Sequence, residues 1–203
     1  MNAAQRDSRG AALELLSRAH PGLAAAPVLR TAACDLALVE RDGGFEPAHP
    51  LFATRISQHP EGGLLVQMAD QRYRIAARGN IQGMLVHDKV FFADVMEDTD
   101  LLLAAGSFGV DTSAQVRSRS APEELLFEFE LSPVTALRAR GERVELMQGE
   151  TLVAALELPS GRDAQGRRLK LGWEVDGSRL LLRYAHRERD LLYPLALAGA
   201  GVP

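Results

Sequence analysis

The sequence holds a single cysteine, Cys34, among 203 residues, and that scarcity removes two classes of protein at once. One thiol cannot build an internal disulfide framework, nor can it supply a cysteine-based zinc site. Free cysteine is among the most buried residue types, so Cys34 is expected as a core thiol. Aromatics are sparse too: one Trp, three Tyr and seven Phe leave little material for an aromatic sugar-binding platform. The five histidines, His20, His49, His59, His87 and His186, are dispersed and show no HExxH, HxH or similar ligand spacing. Long apolar runs are missing, since the longest, LLLAAG at 101–106, is strand-sized and far short of a bilayer span. Basic excess is missing as well. With 23 basic residues scattered among 27 acidic ones and a formal charge of -4, the chain has no electrostatic footprint for nucleic acid or an anionic membrane. The N-terminus, MNAAQRDSRGAALELLSR, is interrupted by Arg6, Asp7 and Arg9, so no signal peptide is expected.

What is present is a chain with 46% hydrophobic residues, enough for a proper core. Ala11, Ala12, Leu15, Leu16 and Ala19 recur at spacings of three and four, predicting one short N-terminal helix that HPG at 20–22 stops. Residues 1–26 are accordingly assigned to this helix and a linker. Thereafter short apolar runs alternate with turn signals: RDGG at 41, PEGG at 60, ADQ at 69, HDK at 87, RGE at 140, QGE at 148 and DGS at 176. In LLFEFEL, Phe127, Phe129 and Leu131 share one face and Glu128 and Glu130 the other, the pattern of a half-buried strand. Trp173, in LKLGWEV, reads as a core or sheet-face anchor. No helix-length segment separates the strands, so parallel βαβ architecture is disfavoured. The expected fold is mainly β, an antiparallel sandwich or packed-sheet module with a short N-terminal helix. The proline-interrupted LSPVT stretch at 131–135 suggests a division into subdomains at 27–133 and 134–197, with 198–203 as a tail.

The sharpest chemical clue is FFADVMEDTDLLL, which sets Asp94, Glu97, Asp98 and Asp100 between two apolar runs. Calcium loops alternate oxygen donors around a glycine at the bend, and this segment has neither feature. Glycosidic chemistry needs two carboxylates at a separation set by a cleft, which no spacing here specifies. Asp98 and Thr99 can instead bond local backbone in an Asx or ST turn. The structural turn is therefore the expectation, and a calcium site on the four carboxylates is the alternative. GSFGV at 106–110 departs from the G-x-S-x-G order of a nucleophile elbow and is read as a bend. GGL at 62–64 sits in a hairpin and not before a helix, so it is no phosphate loop. Arginines cluster at 117 and 119, at 138, 140 and 143, at 162, 167 and 168, and at 183, 187 and 189, mostly with acidic residues nearby. A solvated, ion-paired strand surface is expected from them, with a heparin-like or nucleic-acid groove disfavoured by the net charge.

Several short motifs occur in a telling order: Phe91 and Phe92, Thr99 and Asp100, Gly109 and Val110, Arg117 and Ser118, Ala121 and Pro122, then the alternating Phe127 and Phe129. They continue through the DAQG turn at 163–166, a penultimate strand pair, and Tyr193 and Pro194 in a closing strand. Over residues 46–197 this series resembles a β module of large, mostly exported bacterial proteins that also carry Rhs or YD repeats, LamG-like regions or FG-GAP repeats. Two departures are the absence of the Asp-Pro that generally ends the closing strand and of an adjoining repeat region. The resemblance implies a noncatalytic structural or presenting domain of a secreted, cell-surface or toxin-delivery protein. It transfers no catalytic residue and no cofactor, and gives Asp100, Trp173, Tyr193 and Pro194 structural parts. The implied partner is a neighbouring domain or another protein chain, with an oligomer allowed. From a different class come a carbohydrate-binding module or glycan-active enzyme, and a subunit of a phage-like or injection particle.

Overall fold

The spacing of small apolar residues near the N-terminus forms α1 (Ala3–Ala19), as expected, but His20-Pro21-Gly22 does not end the helical region. Pro21 opens a second short helix, α2 (Pro21–Ala25). At the first helical position its missing N–H and fixed φ cost nothing. The computed structural model describes residues 3–25, 31, 34–51, 53–59, 63–68, 71–77, 81–106, 109–131, 135–188 and 190–201. The expected turns at 60–62 and 69–70, the GSFGV bend at 107–108 and the LSPVT break at 132–134 lie outside these residues.

Strands β1 (Asp35–Arg41), β2 (Gly44–His49), β3 (Thr54–His59), β4 (Gly63–Met68) and β5 (Gln71–Ala76) form an antiparallel meander. A second meander comprises β6 (Gly83–Val86), β7 (Lys89–Met96), β8 (Thr99–Ala105) and β9 (Val110–Val116). Next come β10 (Glu124–Phe129) and a three-stranded sheet of β11 (Thr135–Arg140), β12 (Arg143–Gln148) and β13 (Thr151–Glu157). The chain closes with β14 (Ser160–Arg162), β15 (Leu171–Asp176), β16 (Arg179–Tyr184) and β17 (Leu195–Gly201). Among the described residues the pairing gives an eight-stranded sheet, β1-β2-β3-β4-β5-β10-β16-β15, and a six-stranded sheet, β14-β17-β9-β8-β7-β6. Both take strands from either side of residues 133 and 134, so the anticipated subdivision does not separate the sheets. The supposed tail is also revised, because residues 198–201 continue β17.

The expected turns form where backbone chemistry permits. Asp42 and Gly43 both adopt positive φ, 45° and 75°, as a two-residue hairpin turn requires. His87 supplies the same left-handed geometry at φ 57° between β6 and β7, the hairpin turn expected of HDK.

The inward faces of the sheets form one hydrophobic core. Ile56, Val66, Ile75, Phe127 and Leu182 of the large sheet, Phe92, Leu101, Val116 and Leu195 of the second, and Val144 and Leu156 of the third all belong to it. Phe45 meets Phe92 edge-on across the two larger sheets, ring centroids 6.0 Å apart. Cys34 is a buried free thiol in this core. On the outer face of the six-stranded sheet, Ala12 and Leu16 of α1 pack on Phe91, Ala93 and Leu102. The helix thus covers this face of the sheet. Because both faces of β8 are covered, all seven of its residues are buried, whereas β10 alternates as LLFEFEL predicts. No helix among the described residues is long and apolar enough to cross a membrane.

Candidate functional site

The acidic segment resolves into three local features. Asp94 sits at φ 54° where the register of β7 against β8 shifts between Phe92 and Met96, a bulge that turns the strand. Glu97 and Asp98 form the turn into β8, with Asp98 at φ 48° and Thr99 Oγ1 donating to the Glu97 carbonyl at 3.0 Å. Asp100 lies within β8, opposite Gln115 of β9, with its side chain fully buried.

Four donors and charges converge on these carboxylates. The Asp94 amide donates to Asp100 Oδ1 at 2.9 Å, and Gln115 Nε2 donates to Oδ2 at 2.9 Å. Gln115 Nε2 also reaches the Ala12 carbonyl at 3.1 Å, linking the site to α1. Arg117 pairs with Asp94 through Nη2, stands 3.7 Å from Asp98 Oδ1, and places Nε 3.2 Å from Asp100 Oδ2. The last contact is an ion pair without hydrogen-bond alignment. Asp98 in turn accepts the Ser118 hydroxyl on Oδ2 and the Arg117 amide, at 2.8 Å, on its carbonyl. Burial raises the Asp100 pKa, while the Asp94 amide, Arg117 and Gln115 pull it back. A divalent cation placed among Asp94, Asp98 and Asp100 would meet the guanidinium already there. Among the described residues no three His, Cys, Asp or Glu side chains are arranged to hold a metal ion. The arrangement can lock a bulge, a turn and a helix together; the exposed Glu97 lies apart from it, lining a cavity of about 350 Å³ with Met96 and Arg187.

A second polar cluster surrounds His186, which the sequence left as an isolated histidine. His186 is 0% exposed, with its ring enclosed among Tyr184, Tyr193 and Pro122. Nδ1 lies 2.6 Å from the Tyr193 hydroxyl and Nε2 lies 3.4 Å from the Pro122 carbonyl. A neutral ring protonated on Nε2 satisfies both contacts. The imidazole stacks on Tyr184 and meets Tyr193 edge-on, both with centroids 5.7 Å apart. Glu123 Oε1 accepts the amides of His186 and Arg187 at 2.8 and 2.9 Å, and Arg187 Nη2 donates to the Ala121 carbonyl at 2.6 Å. Burial lowers the His186 pKa against the opposing pull of the Pro122 carbonyl and Glu123. The amides of Arg187 and His186 hold Glu123 below its ordinary value, against the opposing effect of burial.

Tyr193 and Pro194, joined by a cis peptide, therefore sit at a junction: Tyr193 holds His186, and the Pro194 carbonyl accepts from His20 Nε2 at 3.1 Å. Trp173 packs edge-on against Phe127 at 6.0 Å, on the end strand β15. The structure does not bring these residues into one site with the acidic segment's carboxylates. Sequence reading missed Asp163 as more than a turn residue. Its buried carboxylate accepts the amides of Gln165 and Arg167, both at 2.9 Å, Arg167 Nε at 2.7 Å and the Leu192 amide at 3.2 Å. Of the other histidines, His49 and His87 are exposed, and the side chain of His59 is outside the described residues. Compared with family models, curated proteins and solved structures, the chain matches none.

Proposed function

We propose that this chain is a noncatalytic structural or interaction module that presents sheet edges and an apolar hairpin to a neighbouring domain or partner chain. The setting is the one its sequence resemblance implies, a bacterial surface, secreted or toxin-delivery protein. The observation that carries the reading is on β13, an end strand of the three-stranded sheet. Leu152 and Val153 stand there side by side, 49% and 38% exposed, at a register shift between β12 and β13 that re-aims the chain. An end strand with unpaired backbone groups and adjacent exposed aliphatics is a template for docking. The clustered side chains with the look of chemistry support it too, because Asp100, Arg117, His186 and Asp163 are spent on contacts between strands, turns and helix.

A photo-cross-linker placed at position 152, in cells making the protein in its native context, tests this reading. The expected product is one defined neighbour, lost when Val153 is changed to Glu. Position 51, where Leu51 is 53% exposed away from the described strands, serves as the control. Equal yields from 152 and 51, with no preferred neighbour, would contradict a presenting role for β13.

A further inference from the structure

The Arg162, Arg167 and Arg168 cluster does not resolve into the ion-paired surface expected of it. Arg167 is paired with Asp163 at 2.7 Å. Its two companions are not: among the described residues no carboxylate forms an ion pair with Arg162, Arg168 or the nearby Lys170. Among the described residues Arg162 Nη1 donates only to the Gly166 carbonyl, at 3.0 Å.

The backbone holds these cations together. Asp163 pins the loop from 163 to 167, and Arg162 and Arg168 then face each other as an isolated antiparallel bridge. The Leu169 amide donates to the Gly161 carbonyl at 2.9 Å. Gly161 makes this approach possible, since a Cβ there would meet Leu169 Cβ at 2.9 Å and Leu171 at 3.1 Å. Directly opposed residues on antiparallel strands send their side chains to the same face with Cβ atoms about 5 Å apart, and like charges so placed destabilise the pair. Lys170, two residues beyond Arg168, lines the same cavity of about 440 Å³. Its walls include Leu158, Pro159, Ser160 and Leu171. Glu142 is the carboxylate of this lining and is not ion-paired with any of the three cations.

A repulsive cross-strand pair, locked by a buried carboxylate and opening on a cavity too large for a free ion, calls for a counter-charge carried on a larger body. We propose that this cavity binds a phosphate or sulfate ester of a small, sugar-sized molecule. The anionic ester head bridges Arg162 and Arg168 with Lys170 beside it, and the aliphatic walls hold the body of the ligand. The site is independent of the presenting role of β13.

The test is a titration of the isotopically labelled chain followed by NMR, at low ionic strength, with glucose 6-phosphate, glucose 6-sulfate, inorganic phosphate and glucose. Saturable shifts confined to residues 158–162 and 168–171 are expected with both esters, weaker ones with inorganic phosphate and none with glucose. The double variant Arg162→Gln with Arg168→Gln should weaken ester binding by about tenfold or more, through loss of two charge-assisted contacts. Without ligand, Arg168→Gln should raise the melting temperature by relieving the repulsion. Absence of saturable shifts with the esters, shifts undiminished in the double variant, or a lower melting temperature for Arg168→Gln would overturn the site. Inorganic phosphate binding as tightly as the esters would overturn the sugar-sized ligand.

Discussion

Asp100 brings a fully buried carboxylate beside Arg117, the Asp94 amide and Gln115, and removing one member of such a set leaves the others uncompensated. Asp100→Ala is therefore expected to cost about 3 kcal/mol in urea unfolding, the range for breaking a buried pair from one side. Calcium should leave the melting temperature of either protein unchanged, because Arg117 already supplies the positive charge. A double-mutant cycle with Arg117→Ala should show a coupling of about 1 to 3 kcal/mol. The turn at Asp98 and Thr99 was legible in the sequence from the residue types alone. Arg117 was not, because its partners lie 17 to 23 positions earlier and meet it only when β8 and β9 pair with Thr99 opposite Val116. Writing those two runs as a hairpin would have placed Asp100 beside Gln115. His186 carries a pH prediction. Its folded pKa is lowered from 6.5 by burial, against Pro122 and Glu123 and with the Arg187 charge adding to the lowering. The unfolded chain then binds more protons just below pH 6.5, so stability falls as the pH drops from there toward the folded value. The slope is at most about 1.4 kcal/mol per pH unit for one proton. Melting curves between pH 7 and 5 should flatten in this region for His186→Gln relative to the wild type. Glu123, whose folded pKa is depressed, acts at lower pH, its contribution being lost as the pH falls below about 4.5.

At the scale of elements, β8 and β10 show how burial writes itself into sequence. LLFEFEL alternates because one face of β10 is wet, where Glu128 pairs with Arg179 at 3.1 Å and Glu124 with Arg183 at 3.1 Å across to β16. TDLLLAA does not alternate because α1 covers the second face of the sheet. The helix itself was legible from its spacing, yet its docking was not, since Ala12 and Leu16 offer only a narrow apolar stripe. Leu16 is 1% exposed, so Leu16→Ala should lower stability by about 3 kcal/mol, as for other buried leucines. Leu85, on the end strand β6 and 40% exposed, should lose less than about 0.5 kcal/mol on the same substitution. Urea midpoints of the two variants give the comparison directly. Equal losses would mean that α1 does not hold the sheet as described.

For the whole molecule, composition and turn spacing were enough to anticipate a mainly antiparallel β fold. They could not give strand order, because β5 meets β10, β10 meets β16 and β9 meets β17 across long stretches of chain. Such pairings depend on which faces complement one another and leave no local pattern. The proline-marked break near 132–134 suggested two subdomains. Instead Leu125 and Phe127 share a core with Leu180, Leu182 and Leu195, so residues on the two sides of that break stabilise each other. Folding should be slow for the size of the chain, because nonlocal pairings must close long loops before they are rewarded. One core also implies one cooperative unit, whose polar links through Arg117, His186 and Asp163 tie strands and turns together. Native-state hydrogen exchange in increasing urea measures this most directly. The core amides of β8, β9, β10, β16 and β17 should converge on a single opening free energy equal to that of global unfolding. A separate, lower value shared by β16 and β17 but not by β8, β9 and β10 would contradict the single core.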